Sequence, residues 1–143
     1  MYSSKLNPDK KYLHSSSTTI LDLFNLQRLK QPDIPAVISG KHSITYENIH
    51  ARAEKVASFL RSKEVGPGVP VGLMMERSID QMVTVLGILK AGGAYVPMDP
   101  SYPSDRLRYM MRDSGVPIIL TQNAFKHLIP SEIGQSYCID TDW

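Results

Sequence analysis

Residues 89–106 read LKAGGAYVPMDPSYPSDR, and this stretch decides how the chain is organised. Its first three residues close an apolar, helix-like segment, and Gly92 and Gly93 are suited to end a helix in the left-handed conformation. Residues 94–96 then form a short strand-like run that Pro97 closes, because proline has no N–H to give to a sheet. The stretch therefore predicts the end of a helix, a short strand and a rigid turn.

The segment upstream predicts the first half of a parallel unit. Residues 69–75 are apolar and of strand length, which is typical of a strand covered on both faces. Ser78, followed by Gln81, fits a capping box that opens a helix from Ile79 to about Ala91. This helix has almost no polar face, so we expect it to be packed on several sides. Strand, helix and strand together predict a right-handed parallel crossover.

The segment downstream predicts a further helix and a further strand. Ser104 is placed to cap a helix that Gly115 ends, and residues 117–120 supply another apolar strand. A short helical turn is expected near residues 124–128. Because strands and helices alternate, the sequence predicts an α/β fold with parallel βαβ units and flanking helices.

The first part of the chain predicts a flexible lead-in and then a helix. Residues 1–17 are polar and offer too little apolar surface to offset the cost of ordering the backbone. From Thr18 or Thr19 as N-cap, a short amphipathic helix is expected to end before Pro32. Its predicted inward face consists of Ile20, Leu23, Phe24 and Gln27. We therefore separate a lead-in or linker from a partial domain over residues 18–143.

An early hairpin and a second helix follow. Two strand-like runs, residues 36–38 and 43–45, flank a turn in which Gly40 can take a positive φ. Thr45 then caps a helix whose apolar positions have the spacing of a single buried face. These positions are Ile49, Ala53, Val56, Ala57 and Leu60.

Composition argues against several partners and locations. The 16 basic and 14 acidic residues are scattered, without a basic stripe, so nucleic acid is not an expected partner. No apolar run reaches the roughly 18 residues of a membrane span, and the first residues lack a signal-peptide stretch. We therefore expect a cytoplasmic protein without a membrane partner. The single cysteine, Cys138, is expected in a strand as a small buried hydrophobe.

Residues 89–100 match, without departure, the pattern Leu-Lys-Ala-Gly, any residue, Ala-Tyr, an aliphatic, Pro, an aliphatic, Asp-Pro. The matching residues are Leu89, Lys90, Ala91, Gly92, Gly93, Ala94, Tyr95, Val96, Pro97, Met98, Asp99 and Pro100. This run resembles the second core motif of the amino-acid adenylation domains of nonribosomal peptide synthetases, which belong to the AMP-forming adenylate ligases. Family-like residues continue at Tyr102 and Arg106, and the resemblance covers about residues 18–128.

A second, partial match lies at residues 44–49, ITYENI. The first core motif of the family reads roughly Leu, Thr or Ser, Tyr, any residue, Glu, Leu, and Thr45 and Tyr46 agree with it. Asn48 replaces the family glutamate, which would complete a capping box with the threonine. This departure concerns the stability of the helix rather than chemistry.

The resemblance implies the beginning of the large N-terminal subdomain of an adenylate-forming ligase. The intact parent domain is expected to activate an amino acid with ATP and magnesium to an aminoacyl-AMP. It then loads the amino acid as a thioester on the phosphopantetheine of a carrier domain. The implied partners are the remainder of the adenylation domain, the carrier domain, a condensation domain and a small MbtH-like protein. Nothing in the chain matches the family's phosphate loop, ribose-binding aspartate or adenylation lysine, so we expect it to be inactive alone and to hold no cofactor.

The sequence accordingly predicts no catalytic, cofactor-binding or metal-binding residue. Lys90 lies in the last turn of its helix, where a cation complements the helix dipole, and Asp99 can accept backbone N–H bonds in its turn. The four histidines are dispersed, without metal-binding spacing. Tyr95 and the methionine pairs at residues 74–75 and 110–111 are expected to fill the core. The family-motif residues are therefore expected to be structural.

Two other functions stay open. The chain could be a non-catalytic, stand-alone interaction or regulatory module, acting through apolar surface beside the helix at residues 79–91. It could also be part of an acyl or aryl acid adenylating ligase, because these enzymes share the fold. The run at residues 89–99 favours amino-acid activation over this last alternative.

Overall fold

The computed structural model describes residues 18–143, and the predicted flexible lead-in at residues 1–17 lies outside them. Strands and helices alternate along the described chain, which confirms the α/β class. The helices are α1 (Ile20–Lys30), α2 (Tyr46–Ser62), α3 (Ile79–Lys90) and α4 (Ser104–Ser114), with a 3-10 helix at Asn123–Leu128. The strands are β1 (Pro35–Ser39), β2 (His42–Thr45), β3 (Pro70–Met74), β4 (Ala94–Pro97), β5 (Ile118–Thr121) and β6 (Gln135–Cys138).

Four strands form a parallel sheet in the order β4-β3-β5-β6, and β1 pairs with β2 as a separate antiparallel hairpin. In the register of the sheet, Val71 of β3 is opposite Tyr95 of β4 and Ile118 of β5. Residues 71–74 of β3 are all buried, as expected for an interior parallel strand. The predicted parallel strand–helix–strand unit is confirmed.

The sheet has two apolar faces, because successive side chains of a strand point to opposite sides. Helices α2 and α3 cover one face, and α4 with the 3-10 helix covers the other. On the first face the strands contribute Val71, Leu73, Ile118 and Leu120. On the second face they contribute Met74 and Ile119, which pack with Leu107 and Met111 of α4. Burial on both faces explains why β3 and β5 are almost continuously apolar.

Helix α1 begins where predicted but turns a different face inward. Ile20 and Leu23, expected on the buried side, are 65 % and 38 % exposed, so this part of the prediction is wrong. Phe24 contacts the core as predicted, and Leu21 contacts it in place of Ile20 and Leu23. The stripe of Leu21 and Phe24 also carries Arg28, whose ion pair with α2 favours this orientation.

The hairpin and α2 follow the prediction. Gly40 has a φ of +60° in the two-residue turn, and the Thr45 hydroxyl accepts a bond from the Asn48 N–H at 3.2 Å. Thr19 caps α1 more completely, through a capping box with Asp22. The five positions predicted for the buried face of α2 are all buried: Ile49, Ala53, Val56, Ala57 and Leu60.

Helix α3 is enclosed along most of its length, with one departure. Gly87 allows α2 to approach closely, because a Cβ there would lie 2.5 Å from the Cβ of Val56. Met82 is 40 % exposed, although the pattern predicts an almost fully covered helix. At its start, the Gln81 N–H donates to the Ser78 hydroxyl at 3.1 Å, which confirms Ser78 as the N-cap.

Two further predictions are wrong. Ser104 does not cap α4 but is its first helical residue, because Pro103 occupies the N-cap with a φ of −53° and makes no side-chain cap bond. Tyr95 does not fill the core but is 43 % exposed, because β4 lies at the edge of the sheet. Gly115 ends α4 with a φ of +62°, and Cys138 is buried in β6, both as predicted.

Candidate functional site at the carboxyl edge of the sheet

A crevice of about 650 Å³ opens at the carboxyl ends of β3 and β4. The loop after β3 leads to α3 on one face of the sheet, whereas the loop after β4 leads to α4 on the other. In open parallel sheets, ligands bind where neighbouring connections diverge in this way. The lining residues are Leu73, Met75, Glu76, Arg77, Gln81, Pro97, Met98, Asp99, Pro100, Ser101, Tyr102, Arg106, Met110 and Phe125. The crevice is therefore the candidate functional site.

Asp99 organises the loop that forms one wall of the crevice. Its Oδ1 accepts hydrogen bonds from the Ser101 N–H at 2.9 Å and from the Ser101 hydroxyl at 2.7 Å. The bond from the Ser101 backbone, then the bond from its side chain, holds the pKa of Asp99 below its ordinary value of 3.8, and the charge of Arg77 acts in the same direction. The hydrogen bond from a backbone N–H that was expected for Asp99 is therefore present.

Two arginines contribute the positive charges of the crevice. The Arg106 guanidinium carbon lies 4.1 Å from the centroid of the Tyr102 ring, in a cation–π contact. Arg77 lies near enough to Asp99 to influence its titration. Since the other lining carboxylate is Glu76, positive and negative charges balance among the lining residues. Such a surface does not concentrate anions in the way that a phosphate site does.

The residues of the second core motif are divided between the two ends of β4. At the amino end, Ala91 is the C-cap of α3, and Gly92 has a φ of +88° and lies against the turn at Pro67. At the carboxyl end, Pro97, Met98, Asp99 and Pro100 line the crevice. The motif thus runs from the end of α3, along the short strand β4, to the candidate site.

Lys90 lies outside the crevice, at the end of α3. Its Nζ is 2.9 Å from Oε1 of Glu54 on α2, and its side chain is only 7 % exposed. The Lys90 carbonyl accepts a bond from Nη2 of Arg61 at 2.7 Å. The hydrogen bond from Lys90 is the main reason that the pKa of Glu54 lies below its ordinary value. Lys90 therefore joins α3 to α2.

The two matched residues of the first core motif, Thr45 and Tyr46, lie away from the crevice, at the start of α2. Thr45 caps the helix, and the Tyr46 ring packs on Phe24 of α1 with centroids 5.5 Å apart. The structure therefore does not bring the two motifs together in one site. Their separate positions fit the proposal that both motifs are structural.

Sequence reasoning missed part of the crevice. It assigned no role to Arg77 and considered Gln81 only as the partner of Ser78 in a capping box, whereas both line the side formed by the segment after β3. The available signal was the position of Arg77 directly after a buried parallel strand, where ligand-facing residues concentrate. Phe125, from the 3-10 helix, could not have been found in this way, because its approach depends on the packing of distant elements.

The described residues lack a metal-ligand cluster, and the crevice loops lack glycine. Across residues 18–143, no three His, Cys, Asp or Glu side chains are grouped so that they could hold a metal. The crevice loops at residues 75–78 and 98–103 contain no glycine to bring backbone N–H groups close to a phosphate. Among residues 18–143, no helix is long and apolar enough to cross a bilayer.

Comparison with protein families and with characterised proteins gives consistent matches. The family of AMP-binding enzymes matches residues 24–141. A linear gramicidin synthase protein of Brevibacillus parabrevis is 44 % identical over 121 residues, which are 85 % of this chain and 2 % of that protein. The zwittermicin A synthase ZmaJ of Bacillus cereus is 46 % identical over 111 residues, which are 78 % of this chain and 21 % of that protein. The chain thus spans only a small part of the length of these relatives.

Solved structures share the fold. The nonribosomal peptide synthetase FmoA3 has a TM-score of 0.79 and 33 % identity over 85 % of this chain and 13 % of its own. FmoA3 has also been solved with AMPPNP and with α-methyl-L-serine-AMP bound. An artificially fused adenylation–PCP di-domain protein of Klebsiella oxytoca, 21 % identical with a TM-score of 0.75 over 84 % of this chain and 22 % of its own, supports the fold alone. Since the matched residues include the whole sheet, helices α2 to α4 and the crevice, the chain belongs to the family of AMP-binding enzymes and resembles within it the adenylation domains of nonribosomal peptide synthetases.

Proposed function

We propose that this chain is the opening part of an adenylation domain that activates an amino acid for peptide synthesis. The observation that carries the proposal is the family match over residues 24–141, together with 44 % identity to a linear gramicidin synthase protein. The names of these relatives favour amino-acid activation over acyl or aryl acid ligation. No observation on the described residues favours a stand-alone regulatory module.

The proposed parent reaction has two steps. The carboxylate of an amino acid attacks the α-phosphate of ATP, pyrophosphate leaves, and an aminoacyl-AMP forms. The thiol of a carrier domain's phosphopantetheine then attacks the activated carbonyl, so that a thioester forms and AMP leaves. The AMPPNP-bound and adenylate-bound forms of FmoA3 support the use of ATP. Magnesium is proposed because it neutralises the phosphate charges during such a transfer.

The described residues act in this proposal as a scaffold. None of them is proposed to touch the reacting atoms, because the crevice lacks a phosphate-binding loop and a metal cluster. The proposed partners are the remainder of the adenylation domain, the carrier domain, a condensation domain and an MbtH-like protein. The proposed compartment is the cytoplasm.

Calorimetric titration with ATP and magnesium tests the proposal. We expect the 143-residue chain to unfold cooperatively but to give no heat of binding. A longer chain that includes the remainder of the domain should bind ATP and catalyse amino-acid-dependent exchange of pyrophosphate into ATP. Stoichiometric binding by the short chain would contradict the scaffold role. Exchange that depends on an aryl or acyl acid, but on no amino acid, would contradict the substrate class.

A further inference from the structure

The outer side of β6 forms one edge of the parallel sheet. Among residues 18–143, β6 pairs with β5 alone. The backbone N–H groups of Gln135 and Ile139 donate to the carbonyls at the two ends of β5. Because backbone groups of successive residues in a strand face opposite sides, those of Ser136 and Cys138 face the outer edge. Such outward groups are the ones that a further strand would bind.

Asp142 takes the place of a further strand at Cys138. The Cys138 N–H donates to Asp142 Oδ2 at 2.7 Å, and the Asp142 N–H donates to the Cys138 carbonyl at 2.9 Å. A neighbouring strand would offer the same two groups, an acceptor for the N–H and a donor for the carbonyl. The first bond is also charge-assisted, which makes it stronger than a bond to the neutral carbonyl of a strand. Both outward groups of Cys138 are therefore bound within the chain itself.

The turn that carries Asp142 is anchored by contacts on either side of this residue. Asp140 Oδ1 accepts from the Asn123 N–H at 2.9 Å, which ties the turn to the start of the 3-10 helix. The Trp143 ring packs edge-to-face on Phe59 of α2, with centroids 4.7 Å apart. Because these contacts already order the turn, the Asp142 bonds require little additional ordering of the chain.

The opposite edge of the sheet is protected in a different way. The N–H groups of Ala94 and Met98 donate to residues of the β3 segment, which places Tyr95 and Pro97 of β4 at the outward positions. Pro97 has no N–H to offer, and proline on an outer strand is a common means of preventing strand addition. Strand β6, with the sequence QSYC, contains neither proline nor a charged residue. Its protection therefore depends on Asp142.

We propose that Asp142 acts as a clasp that keeps a second copy of this chain from pairing with the outer edge of β6. A second copy fits this edge because two identical edges, placed antiparallel about a two-fold axis, can exchange their outward N–H and carbonyl groups. Pairing at Cys138 requires that both Asp142 bonds break first. The clasp therefore opposes self-association of the chain, whatever reaction the parent domain catalyses.

Amide hydrogen exchange provides the first test and needs no variant. Ser136 and Cys138 both face outward, but Asp142 binds only the Cys138 N–H. In a dilute, monomeric sample of the full chain, and after correction for intrinsic rates, we expect the Cys138 amide to exchange about tenfold more slowly than the Ser136 amide. Equal protection of the two amides would overturn the proposal.

Self-association of Asp142 variants provides the second test. Asp142→Ala removes the acceptor of the Cys138 N–H, whereas Asp142→Asn keeps an oxygen in its place. In sedimentation velocity over a range of concentrations, we expect the Kd of self-association to fall about tenfold in Asp142→Ala, because a hydrogen bond to a charged group no longer competes. Asp142→Asn should show a smaller fall. If folded Asp142→Ala is less stable but associates no more than the unaltered chain, Asp142 serves the turn alone and the proposal is overturned.

A proline at the other outward position tests whether the association uses β6. Ser136→Pro removes the second outward N–H, which an outer strand tolerates. Added to Asp142→Ala, it should return the Kd to that of the unaltered chain. Association that survives Ser136→Pro would lie on another surface and would overturn the proposal. If Asp142→Ala does not fold, Asp142→Asn takes its place, and an unchanged Kd in that variant is the contradicting result.

Discussion

At the residue scale, the ion pair of Lys90 and Glu54 is asymmetric, because the Lys90 side chain is 7 % exposed and that of Glu54 is 44 % exposed. Glu54→Gln leaves an enclosed ammonium without its carboxylate, whereas Lys90→Met leaves a carboxylate that water can reach. We expect Glu54→Gln to lower the free energy of unfolding by about 1–3 kcal/mol, and Lys90→Met to lower it less. Denaturant unfolding of both variants measures this. The opposite order would show that the buried stem of Lys90 matters more than its charge.

The same pair predicts a pH dependence. The pKa of Glu54 lies below its ordinary value of 4.5, first because Lys90 donates a hydrogen bond to it. A carboxyl group with a depressed folded-state pKa stabilises the fold fully above its unfolded pKa, and this stabilisation is lost as the pH falls through the folded pKa. We expect the unaltered chain to lose its advantage over Glu54→Gln below pH 4.5. A pH series of denaturant unfolding measures the difference, and an advantage that persists in acid would contradict this cause.

Gly87 is predicted to be required for the packing of α2 on α3. In Gly87→Ala, the added Cβ would meet the Cβ of Val56 at 2.5 Å and the Ala53 carbonyl oxygen at 3.1 Å. We expect this overpacking to cost about 1–3 kcal/mol, at the upper end of that range because two atoms of Val56 lie 2.5 Å away, and so to outweigh the gain in helix propensity of about 1 kcal/mol. Gly66→Ala is the matched control, since nothing lies within 4 Å of its Cβ position and its φ is not positive. Equal unfolding midpoints for the two variants would contradict the expectation.

At the element scale, the loop between β4 and α4 depends on Asp99. Asp99→Ala removes the acceptor of both Ser101 bonds, whereas Asp99→Asn keeps an oxygen at the same position. We expect Asp99→Ala to lose about 1 kcal/mol of stability and Asp99→Asn to lose less. Amide hydrogen exchange at Ser101 should be faster in Asp99→Ala than in the unaltered chain. Unchanged exchange would mean that the two flanking prolines alone fix the loop.

The sequence predicted best those elements whose burial against apolar neighbours leaves a regular pattern of apolar residues. Helix α2 has a single buried face, so the spacing from Ile49 to Leu60 identified it completely. Strand β3 is covered on both faces, and its continuous apolar run showed this. Helix α1 differs because it packs partly through Arg28, and an ion pair across helices leaves no periodic apolar signal. For the same reason the pairing of Lys90 with Glu54 was not predictable, although Lys90 itself was expected to be structural.

At the scale of the whole molecule, the fold class and the parallel unit were predictable from local patterns, but the crevice was not. Its walls come from segments that are distant in the sequence, around Arg77, Asp99 and Phe125. They meet only because the strand order places β3 between β4 and β5, and neighbour order in a sheet has no local signature. Pro97, Asp99 and Pro100 were identified through the motif, without knowledge of the cavity that they line.

The scaffold role makes a prediction about reassembly. If this chain supplies the opening part of a larger domain, mixing it with the remainder of that domain should restore amino-acid-dependent pyrophosphate exchange that neither piece shows alone. In Gly72→Val, the added Cβ would lie 2.9 Å from Cγ1 of Ile119, so the two central strands could no longer keep their packing. This variant should fail to restore exchange, whereas Gly66→Ala should restore it, since no atom lies near the Cβ that it adds. Both variants leave the crevice residues unchanged, so a difference between them would reflect the integrity of the sheet. Equal activity of the two mixtures would mean that the intact sheet is not what the parent domain requires from this chain.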